Sequence, residues 1–167
     1  MCYAYRHFSV YWYMYMNKFG IDKIIVWADR IITALTAVSY VLVLILFFNE
    51  NVIKFIEAVL VPGVSFVLVS LFRKIYNAPR PYEVKDITPM SGKTTKGKSM
   101  PSRHTFSIFI IAMTVFYYDY RFGICLLFAG VILATLRVIE RVHFVRDVVV
   151  GAILGIGFGL LYFVLPC

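Results

Sequence analysis

The sequence predicts an all-α fold, a polytopic membrane helix bundle with about five transmembrane helices and an N-terminal interfacial segment. Hydrophobic residues make up 61% of the chain and charged residues only 16%, against about 25% charged residues in typical soluble proteins. Several nearly continuous apolar segments are long enough to cross a bilayer, which takes about 20 residues of helix. The 167 residues suffice for one domain, so residues 1–167 are predicted to form a single membrane-embedded domain.

The first 30 residues are predicted to lie at the membrane interface. Residues 1–17 are rich in Tyr, Trp and Met and are too short to span a bilayer, and such side chains favour the head-group region. Residues 18–29 mix apolar and charged positions at roughly helical spacing, which is again typical of an interfacial helix. The first span is then predicted at residues 31–48, which carry no charge.

A long polar loop separates the second predicted span from the third. The second span covers residues 52–72, and Pro62 and Gly63 in its middle favour a kink. Residues 73–103 then carry four prolines and eight Lys or Arg residues. A long loop inside a compact domain is commonly functional or disordered, and this one is predicted to belong to a functional site.

Three further spans complete the predicted bundle. They cover residues 102–118, 122–138 and 148–165, and short charged segments join them. Gly151, Gly155 and Gly159 recur every four residues on the last span, a spacing that lets a neighbouring helix approach closely. We assign these glycines to helix packing and to no chemistry.

Because consecutive spans alternate in direction, the polar segments sort onto two faces of the membrane. One face, here called the active face, receives the long loop, the ends of spans two and four, and the starts of spans three and five. It collects these residues: Arg73, Arg80, Ser102, Arg103, His104, Arg137, His143 and Asp147. Two histidines from distant segments, each accompanied by arginines, indicate a site on this face.

His143 and Asp147 are four residues apart, so at the start of a helix they lie on one side, within reach of each other. A carboxylate that accepts one ring N–H fixes the histidine tautomer and raises the basicity of the other nitrogen. The pair is therefore a candidate nucleophile or base with its orienting group. A plain interfacial His–Asp contact is the simpler alternative for the pair taken alone.

An anion site is predicted where the third span begins. Ser102 follows Pro101 as the candidate N-cap, and the free N–H groups and dipole of a helix start attract anions. His104 lies in that first turn. Arg80 and Arg137 offer planar, bidentate donors for phosphate, although a lone arginine at a membrane edge more often extends toward lipid head groups.

Composition and ligand spacing argue against other kinds of site. A net charge of +8 would suit nucleic acid, but in a chain this apolar we expect cations at head groups or around a phosphate and no nucleic-acid partner. The spans contain no carboxylate cluster and no His/Cys ligand spacing, so we predict neither a metal nor another cofactor. Arginines and helix dipoles would then stabilise the charge that develops in a metal-free phosphoryl transfer.

Three motifs carry a resemblance to a known family. They are RKIYNAPRP at residues 73–81, PSRH at residues 101–104 and LRVIERVHFVRD at residues 136–147. In order and location they resemble the K-x6-RP, PSGH and SR-x5-H-x3-D motifs of the type 2 phosphatidic acid phosphatases, membrane lipid phosphatases related to the vanadium haloperoxidases. The three motifs together reach over nearly half of the chain.

Three positions depart from the family motifs. Arg73 stands at the lysine position, with Lys74 beside it as an accessory candidate. Arg103 replaces the glycine of the second motif, which adds a cation near the phosphate. Leu136 replaces the serine of the third motif, which removes a hydroxyl donor. None of these changes removes a predicted nucleophile or acid, and their effect on substrate preference stays open from the sequence.

The resemblance implies a role for each site residue. His143 would attack phosphorus to form a phosphohistidine, with Asp147 orienting it. His104 would protonate the leaving lipid oxygen and then help to activate water. The residues that would hold the phosphate are Arg73, Arg80, Arg137 and Ser102, with the backbone N–H near Arg103. His143 must then be neutral while His104 is protonated, so the site has to separate their pKa values.

The implied function is metal-independent hydrolysis of a phosphate monoester or diphosphate on a membrane lipid. Phosphatidic acid, phosphatidylglycerol phosphate and undecaprenyl diphosphate are the candidate substrates by resemblance. One alternative is a lipid phosphotransferase that uses the same histidine. Another is a non-catalytic anion-binding membrane protein, which would leave the His143–Asp147 pair and the second histidine unexplained.

The chain is expected to be a multi-pass protein of the cell membrane, with the bilayer and a lipid phosphate as its partners. Every Lys and Arg except Lys54 and Arg121 falls on the active face, which the positive-inside rule places in the cytoplasm. The resemblance more often implies the outer, or periplasmic, face. The sequence leaves both the sidedness and the oligomeric state open.

Overall fold

The structure, a computed structural model, describes residues 20–85 and 87–164. In these residues the regular secondary structure is entirely helical. The helices are α1 (Ile21–Glu50), α2 (Val52–Tyr76), α3 (Pro81–Val84), α4 (Arg103–Tyr118), α5 (Tyr120–Ile139) and α6 (Val145–Gly159), followed by a 3-10 turn at Leu160–Phe163. The predicted all-α bundle is confirmed. The aromatic segment 1–17, predicted to lie at the interface, falls outside the described residues.

The first spanning helix begins earlier than the sequence predicted. Its charged residues Asp29 and Arg30 favoured a boundary between an interfacial helix and a span, but α1 runs without interruption from Ile21 to Glu50. Asp29 is only 5% exposed, because it pairs with an arginine of α5. A buried carboxylate that has a cationic partner can be accommodated within an apolar helix bundle.

Pro62 lies inside α2 without ending the helix. A proline has no N–H, so the carbonyl of Ala58, four residues earlier, loses its helical partner. The hydroxyl of Tyr40 on α1 donates a hydrogen bond to this carbonyl at 2.8 Å. Because no water is present in the bilayer core to replace the lost bond, this contact satisfies the carbonyl and ties α1 to α2.

The helix α4 lies at the centre of the bundle. It contacts α1, α2, α5 and α6, and most of its side chains are buried. Four segments, which contain those surrounding helices, are long and apolar enough to cross a membrane, and they carry many exposed large apolar side chains. The remaining predicted span, the third, at residues 102–118, corresponds to α4, which has 16 residues. The chain is thus a multi-pass membrane protein with a short helix at its centre.

Three glycines of α6 bring that helix into close contact with α4: Gly151, Gly155 and Gly159. A Cβ at the first would lie 2.8 Å from the carbonyl oxygen of Ser102, and one at the second 2.8 Å from that of Phe106. At the third, a Cβ would lie 2.3 Å from the Cβ of Met113. The helix-packing role predicted for this row is confirmed, and the packing sets the starts of α4 and α6 side by side.

Candidate active site

The segment between α3 and α4 is anchored to the end of α2. The N–H of Ser99 donates a hydrogen bond to the carbonyl of Ala78 at 2.9 Å. The Glu83 carboxylate accepts hydrogen bonds from the backbone N–H groups of Arg80 at 3.0 Å and Gly97 at 2.7 Å. The first motif and the residues that precede the second motif are therefore held against each other.

His143 and Asp147 lie side by side at the start of α6, as their spacing predicts. The Oδ2 atom of Asp147 is 3.6 Å from Nδ1 of His143. The same oxygen accepts hydrogen bonds from the hydroxyl of Ser99 and from the N–H of Phe144, the latter at 3.0 Å. Because Nδ1 is directed toward the carboxylate, Nε2 is the ring nitrogen available for chemistry.

Burial lowers the pKa of the His143 imidazole from 6.5 to about 4. The neighbouring carboxylate of Asp147 acts in the opposite direction, and the guanidinium of Arg80 adds to the lowering. At neutral pH the imidazole is therefore uncharged and carries a lone pair on Nε2. This is the protonation state that a nucleophilic histidine requires.

A backbone hydrogen bond joins the starts of α4 and α6. The N–H of Ser102 donates to the carbonyl of Asp147 at 2.9 Å. Ser102 is the N-cap residue of α4, as predicted, but its side chain makes no capping hydrogen bond, and its Oγ instead accepts one from the Thr105 hydroxyl at 3.1 Å. The intrahelical bonds of α4 begin with Phe106, so the N–H groups of the helix start precede that ladder and can meet an anion.

A cavity of about 360 Å³ lies beside His143. Its charged and titratable lining residues, which make this the cationic cavity, are Arg73, Arg80, Lys93, Lys96, Lys98, Arg103, His104 and His143. Nε of Arg80 donates to the Gly97 carbonyl at 3.0 Å, whereas its buried Nη1 has no hydrogen-bond partner among the described residues. A buried cationic donor without a partner is costly, so the cavity is suited to an anion.

Arg73 reaches the cationic cavity from the end of α2. Its Nη1 donates hydrogen bonds to the carbonyls of Ser99, at 3.3 Å, and Pro101, and the residue is only 5% exposed. Lys74, the accessory candidate, is exposed and does not line the cavity. The structure thus brings Arg73, and not Lys74, to the predicted site.

His104 lies where three cavities meet. Besides the cationic cavity, it lines an apolar cavity of about 350 Å³, whose walls include Phe66, Ile111 and Leu133. It also lines a third cavity, of about 450 Å³, beside α1; this is called the polar cavity because its wall includes Asp29, Lys93, Arg137 and Glu140. A phosphate in the cationic cavity and a lipid chain in the apolar cavity would meet at His104, which is a suitable position for an acid that protonates a leaving oxygen.

Arg137 is buried between two carboxylates. Its Nε is 2.8 Å from Oδ1 of Asp29 on α1, and its Nη1 is 3.9 Å from Oε2 of Glu140. The sequence predicted Arg137 among the residues that hold the phosphate. The structure instead places it in the wall of the polar cavity, beside His104, and not in the lining of the cationic cavity.

Lys93 and Glu140 are among the titratable residues that join the site without having been predicted. Lys93 lines both the cationic and the polar cavity, and burial, together with Arg137 and Arg80, lowers its pKa. Burial raises the pKa of the Glu140 carboxyl to about 7, with Asp29 acting in the same direction and Arg137 opposing it. Charge on both groups is therefore sensitive to what occupies the neighbouring cavities.

Arg103, which stands at the glycine position of the second motif, is exposed where the cationic and apolar cavities adjoin. It lines both cavities, and its guanidinium carbon is 5.9 Å from the centre of the Phe66 ring on α2. The extra cation therefore lies at the passage between the predicted phosphate position and the apolar cavity.

The site residues missed from the sequence include Asp29, Lys93, Ser99 and Glu140. Ser99 lies just before the second motif and Glu140 lies inside the third, so closeness to a motif was a usable signal for both. Lys93 is one of several loop cations, and Asp29 is an isolated acid in an apolar segment. Nothing local distinguished these last two.

One family model matches most of the chain. The family model described as the PAP2 superfamily matches residues 54–166. The chain belongs to this family. The resemblance drawn from the three motifs is thereby confirmed, and as a member of the PAP2 superfamily the chain is a lipid phosphatase. Comparison with curated protein sequences gives no match.

Two solved structures share the PAP2 fold of this chain. Aquifex aeolicus LpxE matches with a TM-score of 0.66 and 26% identity, over 82% of this chain and 86% of that one. A transmembrane PAP2 type phosphatidylglycerolphosphate phosphatase from Bacillus subtilis matches with a TM-score of 0.63 and 22% identity, over 86% of this chain and 81% of that one.

The PAP2 match contains all three motifs and the helices from α3 to α6, together with nearly all of α2. It begins after α1, so Asp29 reaches the site from outside the matched segment. The site of this PAP2 protein is thus built from the family core and one carboxylate of the preceding helix.

Proposed function

We propose that the chain hydrolyses a phosphate monoester or diphosphate carried by a membrane lipid, without a metal ion, through a phosphohistidine on His143. The observation that carries the proposal is the buried group of His143, Asp147 and Ser99 at the wall of the cationic cavity, with His104 in the same wall. A neutral histidine, an orienting carboxylate and a second histidine beside an anion site are the parts that such a reaction needs.

Phosphate binding would use the cationic cavity. Arg73 and Arg80 are fixed by hydrogen bonds to backbone carbonyls, and the buried Nη1 of Arg80 gains its missing partner when a phosphate oxygen arrives. The N–H groups at the start of α4 add further donors. Because the protein already holds these donors in place, little reorganisation is needed to stabilise the transition state.

In the first step Nε2 of His143 attacks phosphorus, and the bond from phosphorus to the lipid oxygen breaks. The ring becomes positively charged, which the carboxylate of Asp147 stabilises through Nδ1. His104, protonated when the phosphate dianion is bound beside it, gives its proton to the leaving oxygen. The lipid product is released as an alcohol, or as a lipid phosphate where the substrate is a diphosphate.

In the second step water attacks the phosphorus of the phosphohistidine. His104, now neutral, takes the proton of that water, and the bond from phosphorus to Nε2 breaks. Inorganic phosphate leaves, His143 returns to its neutral state, and His104 is again protonated. The two histidines therefore complete a cycle that consumes only lipid phosphate and water.

The substrate would be a lipid of the cell membrane. The apolar cavity beside His104 supports a substrate whose leaving group carries a hydrocarbon chain. Phosphatidic acid, phosphatidylglycerol phosphate and undecaprenyl diphosphate all fit this description. The similarity to a phosphatidylglycerolphosphate phosphatase from Bacillus subtilis favours phosphatidylglycerol phosphate as the first substrate to assay. Labelling of single cysteines on the active face with a membrane-impermeant reagent distinguishes a cytoplasmic from an outer site.

The proposal is tested by phosphate release from these lipids in detergent micelles. His143→Ala should abolish turnover while the protein keeps its thermal melting temperature to within a few degrees, and orthovanadate should inhibit the wild type whereas chelators should not. Steady turnover by the folded His143→Ala protein would refute the mechanism.

His104 has a separate test that uses the leaving group. An aryl phosphate whose phenol leaves without protonation should still phosphorylate His104→Ala rapidly, giving a burst of phenol followed by slow turnover. An alkyl phosphate should give no burst, because its leaving oxygen needs the proton. Equal losses with both substrates would contradict the role of His104 as the acid.

A further inference from the structure

We propose that Asp29 is a positioning residue that holds Arg137 beside His104 and so supports phosphate binding. The inference rests on the proposed function and adds to it a residue of α1, outside the segment that the family model matches. Nε of Arg137 and Oδ1 of Asp29 form an ion pair at 2.8 Å that lacks hydrogen-bond geometry, and both side chains are 7% exposed. The contact joins α1 to α5 at the active face.

The ion pair with Asp29 is the closest contact that holds the Arg137 guanidinium. Glu140, the other acid that pairs with Arg137, lies farther away, at 3.9 Å from Nη1, where the attraction between the charges is weaker. A buried arginine without a close carboxylate is strongly destabilised and moves toward whatever charge or water it can reach. Asp29 therefore selects the orientation in which Arg137 lines the polar cavity together with His104.

This position matters for the reaction because the polar cavity meets the cationic cavity at His104 and Lys93. A guanidinium held there adds positive potential next to the bound phosphate and next to the leaving oxygen. If Asp29 only cancelled the charge of Arg137, its removal would strengthen phosphate binding. If Asp29 orients Arg137, its removal weakens binding, although the net positive charge of the site rises. The two roles predict opposite signs.

Asp29→Asn is the first variant, because it keeps the shape of the side chain and removes its charge. We expect inhibition by inorganic phosphate to weaken, and kcat/KM for a lipid phosphate to fall, by about 10- to 100-fold, the range found when the partner that orients a metal-binding side chain is lost. Asp29→Glu, which restores the charge, should recover a large part of both. Asp119→Asn makes the same chemical change at the N-cap of α5 and should leave both values unchanged.

A double-variant cycle separates positioning from a structural role. Arg137→Lys alone should weaken phosphate inhibition, and adding Asp29→Asn to it should weaken inhibition little further, because Asp29 acts through the arginine. A merely structural Asp29 would lower the melting temperature and leave the phosphate inhibition constant of the folded enzyme unchanged. Unchanged or tighter phosphate inhibition in Asp29→Asn therefore overturns the inference, and so does full additivity with Arg137→Lys.

The outcomes also distinguish this inference from the proposed function. If the wild type and Asp119→Asn release no phosphate from any lipid tested, the proposed function fails. If both are active and Asp29→Asn matches them in turnover and phosphate inhibition, only the role of Asp29 fails.

Discussion

Replacing Asp147 with asparagine tests how much the negative charge of this buried side chain contributes to the proposed reaction at His143. The carboxylate is fully buried, accepts hydrogen bonds from Ser99 and Phe144, and lies 3.6 Å from Nδ1 of His143. Asparagine keeps the shape and one acceptor oxygen but removes the negative charge. The change therefore isolates the electrostatic part of the contact.

The expected loss follows from the distance. In the proposed reaction the ring of His143 gains a positive charge as it becomes a phosphohistidine, and two unit charges 3.6 Å apart attract by about 4–5 kcal/mol at an effective dielectric constant of about 20. Since about 1.4 kcal/mol corresponds to a tenfold change in rate, kcat should fall on the order of 10³-fold. The free energy of unfolding should change less, by about 1–3 kcal/mol, because some hydrogen bonds to the side chain remain.

The assay is steady-state phosphate release from phosphatidylglycerol phosphate micelles, with melting temperature and gel-filtration profile measured on the same preparations. Asp119→Asn serves as the matched control at the opposite end of the bundle. A folded Asp147→Asn protein whose kcat stays within about tenfold of the wild type would refute the reasoning, because the attraction at this distance would then not be used in the reaction.

Four further outcomes are expected. Gly155→Ala should lower the free energy of unfolding by about 1–3 kcal/mol, because its Cβ would lie 2.8 Å from a backbone oxygen of α4, whereas Gly157→Ala, which faces open space on the same helix, should be neutral in the same thermal melts. Glu140→Gln should stabilise the protein more at pH 8 than at pH 5, by up to about 3 kcal/mol. The reason is that a carboxyl with a folded pKa of about 7 and an ordinary value of 4.5 destabilises the folded state progressively as pH rises between those values. Arg103→Gly should weaken phosphate inhibition by about two- to fivefold, with kcat nearly unchanged, and added salt should remove the difference, since the side chain is exposed. The acid limb of kcat/KM should lie below about pH 5, because the pKa of His143 is lowered to about 4; a limb centred near pH 6.5 would contradict that burial effect.

The helix bundle, and the placement of the three motifs on one face of it, could be predicted because both follow from short-range features of the sequence. Apolar length determines where spans lie, and alternation of spans assigns each loop to a face. His143 and Asp147 are four residues apart, so helix geometry alone brings them together. The close approach of α6 to another helix could likewise be predicted from its glycine spacing, although only the structure identifies α4 as the partner.

The remaining features depend on contacts between distant segments. Asp29 and Arg137 are 108 positions apart, so a charged residue that favoured a helix boundary turned out to lie within α1, neutralised by its partner. The same contact moved Arg137 out of the lining predicted for it. The N-cap preference of Ser102 favoured a hydrogen bond to its Oγ from a backbone N–H of α4, but that oxygen accepts one from the hydroxyl of Thr105 in the same helix.

The hydrogen bond from the Ser102 N–H to the Asp147 carbonyl has a consequence for how such enzymes diverge. It links α4, which bears His104, to α6, which bears Asp147, through main-chain atoms alone, and Gly151 allows the two backbones to approach closely beside it. Side chains around the site can therefore be exchanged without altering the spacing between the two histidines. Arg103, where the family motif has glycine, is one such exchange: it adds a cation where the cationic and apolar cavities adjoin, beside a main-chain link that uses no side chain.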